Sequence, residues 1–145
     1  MLRCLGVPKS WTPAAWPNLP YGMFKYSSME YAVKQVPVLR GLFEELAAGI
    51  AAPRLTYRYE WLEPGQQFGH GQFHVDGTGD PSEIHRLITL RGTPTEGEDQ
   101  QILTAGIAWE FDGPYRHRAR PTQEGCDRLL VRISRTQLGF RNHWD

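Results

Sequence analysis

His74 and Asp76 stand two positions apart in the run Gly69-His70-Gly71-Gln72-Phe73-His74-Val75-Asp76-Gly77, and Arg116-His117-Arg118 follows later in the chain. On an extended segment, side chains two apart share a face, so His74 and Asp76 point the same way. A second strand need only bring His117 beside them. Two imidazole nitrogens and a carboxylate then cover one side of a metal ion and leave its other positions open. A mixed nitrogen and oxygen set of this kind keeps a metal such as iron redox-active and exchangeable, unlike closed thiolate sites that serve structure. The glycine-flanked His70 is an alternative ligand, while His85 and His143 read as ordinary polar residues.

Such a site needs a rigid frame, and the chain after Pro53 supplies the pattern of one. Leu55-Thr56-Tyr57-Arg58-Tyr59-Glu60-Trp61-Leu62 alternates with period two and stops at Glu63-Pro64-Gly65. Further strands are expected over 67–75, 84–91, 102–111, 115–118 and 128–134, separated by stretches rich in Gly, Pro and Asp. Many short strands at this spacing predict a sandwich or barrel. Ahead of them, Ser27 with Glu30 reads as a capping box, and Leu39, Leu42, Phe43, Leu46 and Ile50 recur at helical spacing, with Pro37 dividing two helices and Gly49 as a stop. Residues 1–26 carry Pro8, Pro13, Pro17 and Pro20 among Trp11, Trp16, Tyr21, Phe24 and Tyr26. Prolines at that density exclude a helix or central strand, and the aromatics predict an ordered arm laid across the core. The expected organisation is a single domain over 1–145: an aromatic and Pro-rich arm (1–26), a helical segment (27–52) and a β core (53–145).

At 145 residues the chain is long enough for one hydrophobic core and short for two. It contains no apolar run of membrane-spanning length, and its first residues, Met1-Leu2-Arg3-Cys4-Leu5-Gly6-Val7-Pro8, lack the apolar core expected of a secretory signal. Two cysteines, Cys4 and Cys126, make no disulfide framework, so a cytoplasmic setting is expected. The formal net charge is zero, which gives no support to nucleic acid as a partner. The charge is uneven, though: acids dominate between Asp76 and Asp112, and arginines from Arg116 onward, where a local anion site could form.

The run Tyr59 … Glu63-Pro64-Gly65-Gln66-Gln67-Phe68 … His74-Val75-Asp76 resembles the Tyr-x-Pro-Gly-x-x-Phe … His-x-Asp stretch of the 2-oxoglutarate and Fe(II)-dependent dioxygenases, particularly their prolyl-4-hydroxylase-like branch. The later run Phe111-Asp112-Gly113 … His117-Arg118 … Pro121 … Gly125 … Arg128-Leu129-Leu130-Val131-Arg132 is similar to that family's closing half. The resemblance spans residues from about 55 to 134. It implies a mainly β, α+β fold, a compact double-stranded β-helix (jelly roll) with the helices as an N-terminal buttress. It also implies Fe(II) held by His74, Asp76 and His117, with 2-oxoglutarate as co-substrate. The far carboxylate of a keto diacid suits an arginine, whose planar fork pairs a carboxylate bidentately and keeps its charge when buried. Arg128, eleven positions after His117, is preferred for that role; Arg132 shares its strand face and is the alternative. Tyr57 or Tyr59 could reach the co-substrate from the barrel wall, and Tyr59 is the candidate.

The expected activity is therefore a 2-oxoglutarate-dependent oxygenase hydroxylating an unidentified substrate. Two rivals stand beside it: a non-catalytic barrel serving structure or binding, and a cupin-like metalloprotein without a keto-acid co-substrate.

Overall fold

The computed structural model describes residues 1–10, 18–64 and 72–145. Among the described residues, nine strands form two antiparallel sheets. They are β1 (Leu2–Gly6), β2 (Gly22–Ser27), β3 (Arg54–Leu62), β4 (Ile84–Arg91), β5 (Thr95–Gly97), β6 (Ile102–Leu103), β7 (Ala108–Asp112), β8 (His117–Ala119) and β9 (Cys126–Arg135). The larger sheet has the order β1-β7-β4-β9-β3-β2 and the smaller β6-β5-β8. Helices α1 (Met29–Gln35) and α2 (Arg40–Ala47) are separated by one 3-10 turn at Pro37–Leu39, as the ring of Pro37 requires.

The large sheet is buried on both faces, and its residue alternation shows how. Leu55, Tyr57 and Tyr59 of β3, Ile88 and Leu90 of β4, and Leu129, Val131 and Ile133 of β9 join Leu39, Leu42, Phe43 and Leu46 of the helical layer in one core. The opposite face carries Leu62, Leu87, Leu130 and Phe111, which meet Leu103, Tyr115 and Ala119 from the small-sheet side in a second core. Between the apolar residues of that inner face stand Thr56, Arg58, His85, Arg128, Arg132 and Ser134, so the barrel interior interleaves polar and apolar side chains.

Several sequence expectations shift. The N-terminal arm is not simply draped over the core: β1 pairs with β7 and β2 with β3, so it supplies both edges of the large sheet, where few ladder bonds are needed and proline is tolerated nearby. Trp11 and Trp16 fall outside the described residues. The helix cap is Ser28, whose hydroxyl accepts from the Tyr31 N–H at 3.1 Å, while Ser27 instead donates to the Arg141 carbonyl. The stretch expected as one strand over 102–111 is two, β6 and β7, in different sheets. Gly106 (φ +80°) turns the chain between them and its N–H donates to the Thr89 carbonyl. Of the strand expected over 67–75, the described part makes only an isolated bridge between His74 and His117. β5 lies in a stretch whose Gly, Thr and Pro content reads as turn.

Candidate metal centre

That isolated bridge brings the site together. His74 and His117 exchange both backbone hydrogen bonds at 2.9 Å, which sets their side chains next to each other with ring centroids 4.8 Å apart. The chain then turns inward, so Asp76 is buried among them. One nitrogen of each ring and one Asp76 oxygen lie within 4.8 Å of one another. His117 Nε2 is 2.9 Å from Asp76 Oδ2, and His74 Nε2 is 3.8 Å from Oδ1. The side chains of Asp76 and His117 are 6% and 4% exposed, against 45% for His74, so the group opens outward on the His74 side.

Each ring is oriented through its other nitrogen. His117 Nδ1 lies 3.1 Å from the Tyr115 carbonyl, and His74 Nδ1 lies 3.1 Å from the Gln72 carbonyl. A carbonyl only accepts, so Nδ1 carries the proton in both rings, and in a neutral imidazole Nε2 then presents a lone pair toward Asp76. This is how proteins orient histidines that ligate metals. The 2.9 Å approach of His117 Nε2 to Asp76 Oδ2 therefore sets two lone pairs against each other unless a positive charge sits between them, either a second ring proton or a metal ion. Asp76 Oδ2 is also buried with no hydrogen-bond partner of good geometry among the described residues. The donor set fits a divalent transition metal.

Electrostatics keep the ligands in the forms a metal requires. Burial pushes the Asp76 carboxyl up, but the Arg132 guanidinium and then His117 outweigh it and hold the group well below the usual carboxylate range. Burial, followed by the nearby His117, lowers His74 and favours its neutral form.

The turn after Asp76 is built to hold it. Gly77 has φ +61°, and a Cβ there would sit 2.7 Å from a Glu83 oxygen. Glu83 accepts from the backbone N–H groups of Thr78 (3.0 Å) and Gly79 (3.1 Å) and from the Thr136 hydroxyl. Tyr26 accepts from the Gly77 N–H at 2.8 Å. Capping of this turn thus falls to Glu83, leaving Asp76 for the site.

Beside the triad lies a cavity of about 350 Å³ whose lining includes His74, Asp76, His117, Arg128 and Arg132, together with Lys25, Tyr26, Thr56, Arg58 and Thr95. Arg128 and Arg132 both reach this interior, as their four-residue spacing on β9 predicts. Arg128 is almost fully buried; its Nε donates to the Thr93 carbonyl and its Nη2 to Thr95 Oγ1, both at 2.7 Å. Burial and then the like charge of Arg58 lower it to about 9, which leaves it charged at neutral pH. Arg132 is engaged differently, with Nη1 2.9 Å from Asp76 Oδ1 and Nη2 3.2 Å from Thr56 Oγ1.

Tyr59 does not line the cavity. It points to the helical layer, stacks on Tyr21 at 4.3 Å and accepts from Arg91 at 2.9 Å. Tyr57 faces the same way and donates to the Pro20 carbonyl. Because both faces of β3 are covered, the aromatic face went to the helices and Thr56 and Arg58 went to the barrel interior; alternation locates the two faces but not which one holds the site. Lys25 and Tyr26, from the arm, carry no sequence signal for this position. His85 is buried behind the site against Ser134, and His143 pairs with Asp145 at the surface. His70 lies outside the described residues.

No protein-family model and no curated protein matches the chain. Among solved structures it is similar to the viral collagen prolyl hydroxylase vCPH from Paramecium Bursaria Chlorella virus-1 in its 2OG complex, with TM-score 0.57 and 11% identity over 93% of this chain and 96% of that one. A truncated form of the same viral protein gives TM-score 0.58 and 11% identity over 93% and 90%. The fold is the prolyl-hydroxylase double-stranded β-helix. At this identity the likeness concerns the fold. In the double-stranded β-helix of this chain, the His-Asp-His group lines the cavity that Arg128 and Arg132 of the large sheet also line. No helix among the described residues is long and apolar enough to cross a membrane.

Proposed function

We propose that the protein is an Fe(II)- and 2-oxoglutarate-dependent oxygenase that hydroxylates a C–H bond of its substrate. The observation that carries this reading is the facing of two Nδ1-anchored imidazoles toward one buried carboxylate, beside an arginine-lined cavity. His74, Asp76 and His117 would hold the iron. When bound, iron and the keto acid supply the oxidising chemistry, in which 2-oxoglutarate, O2 and the substrate C–H become succinate, CO2 and the hydroxylated product.

The protein's own part is to bind, orient and exclude water. Arg128, held by Thr93 and Thr95 in the cavity wall, would pair the distal carboxylate of the keto acid. Arg132 is a positioning residue: it holds Asp76 ionised and fixes the direction of its carboxylate. Leu87, Leu130 and Ala119 add apolar surface to the cavity wall, which strengthens the charge pairing inside.

Succinate release from 2-oxoglutarate, with Fe(II) and ascorbate present, tests the proposal. Turnover lost in His74→Ala and raised in KM for 2-oxoglutarate in Arg128→Lys supports it. Metal binding without any effect of 2-oxoglutarate on metal affinity or turnover would instead favour a metalloprotein that uses no keto acid.

A further inference from the structure

The cavity is more cationic than its proposed metal and co-substrate require. Lys25, Arg58, Arg128 and Arg132 line it, and Asp76 is the one carboxylate among its described lining residues. A divalent metal would add positive charge, and a keto-diacid dianion would offset two charges only. The excess is local, because the whole chain is formally neutral. The two segments outside the described residues, 11–17 and 65–71, contain no Asp or Glu in their sequence.

Three of the four cations are engaged: Arg132 is paired to Asp76, Arg128 is held by Thr93 and Thr95, and Arg58 has partners that include Glu60. Lys25 and Arg58 sit on the adjacent strands β2 and β3, near the register pair Met23 and Arg58. Arg58 Nε lies 3.4 Å from Glu60. The Lys25 ammonium makes no hydrogen bond or ion pair among the described residues. Partial burial, then Arg58, Arg132 and Arg141, lower its pKa against the opposing charge of Asp145, which is already engaged by His143 at 2.9 Å. Half-buried like charges repel, and a fold keeps them together at a cost in stability that a bound anion relieves.

We infer that the substrate oxidised in this cavity is a small oxyanion, bearing a carboxylate or phosphate group that Lys25 and Arg58 receive at the mouth. The inference rests on the functional reading above. A cavity of about 350 Å³ is at the small end of ligand sites, which suits a metabolite-sized molecule better than a folded or polymeric one.

The test uses Mn(II) in place of iron with saturating 2-oxoglutarate, and small probes in place of the unknown substrate: methylphosphonate, propionate and uncharged propionamide. Paramagnetic relaxation of probe nuclei by Mn(II) reports binding near the metal. Saturable relaxation is expected for at least one of the anions and not for propionamide, and the phosphonate and propionate arms separate phosphate from carboxylate recognition. Lys25→Gln, alone and with Arg58→Gln, should weaken the anion at least tenfold while 2-oxoglutarate affinity stays within twofold. No saturable anion binding, or equal binding in Lys25→Gln, overturns the inference; loss of 2-oxoglutarate instead assigns these cations to the co-substrate and also overturns it. If neither Mn(II) nor 2-oxoglutarate binds, the functional reading fails separately. Calorimetric titration of the metal-free protein with methylphosphonate and propionate then decides the anion site, by the same tenfold dependence on Lys25.

Discussion

Arg132 Nη1 lies 2.9 Å from Asp76 Oδ1, on the side of the carboxylate away from its 2.9 Å approach to His117. One buried carboxylate is thus shared between a permanent cation and a position where a metal would bind. Removing either partner of a buried pair leaves an uncompensated charge, typically at a cost of about 3–5 kcal/mol. Arg132→Met should destabilise the metal-free protein by about that much. Because a metal can take over the compensation, Mn(II) should raise the melting temperature of Arg132→Met more than that of the wild type. An equal or smaller rise in the variant would show that Arg132 and the metal do not share Asp76.

The grouping of His74, Asp76 and His117 was legible in the sequence because chemistry restricts residue type: few side chains can ligate a transition metal, and His-x-Asp with a later His is compatible with few geometries. The helices and β3, β4 and β9 were legible from their periodicity. The face of β3 was not, since Tyr59 and Arg58 are equally plausible inward residues until the helices are seen to cover the tyrosine side. Nor was the part played by residues 22–27, where Lys25 and Tyr26 reach the cavity through edge pairing with β3, a long-range contact that local pattern does not encode.

Acid should destabilise the metal-free protein. Burial, and then the charge of Arg132, lowers buried His85 to about 4, against about 6.5 for an unfolded chain. Between those values the unfolded state binds a proton that the folded state excludes, so stability is lost as pH falls from about 6.5 toward 4, by about 3 kcal/mol in all. Asp76 and Glu83, held below the usual carboxylate range, act in the same direction at lower pH: their contribution is present above about 4 and lost as they protonate. Urea midpoints at pH 7 and pH 4.5 check this. A flat profile would mean that His85 is not excluded from protonation in the folded state.

Gly77→Ala should cost about 2–4 kcal/mol, since it adds a left-handed backbone penalty to a Cβ placed 2.7 Å from the buried Glu83 carboxylate. Gly49→Ala has a similar positive φ but open space around the added Cβ, and should cost about 1 kcal/mol. Chemical denaturation of the two variants separates strain from clash; equal losses would leave the Glu83 contact without consequence.

The arm should be inseparable from the core. Phe24 is fully buried against Tyr57, Tyr31 and Trp144, so Phe24→Ala should destabilise by about 3–5 kcal/mol. Deleting residues 1–26 removes β1 and most of β2 and should abolish cooperative unfolding. A truncated protein melting at the original temperature would show the arm to be a dispensable cover.

The central claim is a metal centre of His74, Asp76 and His117, and metal stoichiometry tests it most directly. His74→Ala alters a half-exposed side chain, whereas Asp76→Asn keeps the volume beside Arg132 but gives up the buried charge pair, so each variant enters the titration only once circular dichroism shows it folded. Titration with Mn(II), followed by its EPR signal, should give about one ion per wild-type chain, at least tenfold weaker binding in His74→Ala, and none in the double variant. One ion bound with unchanged affinity in the folded double variant would contradict the account.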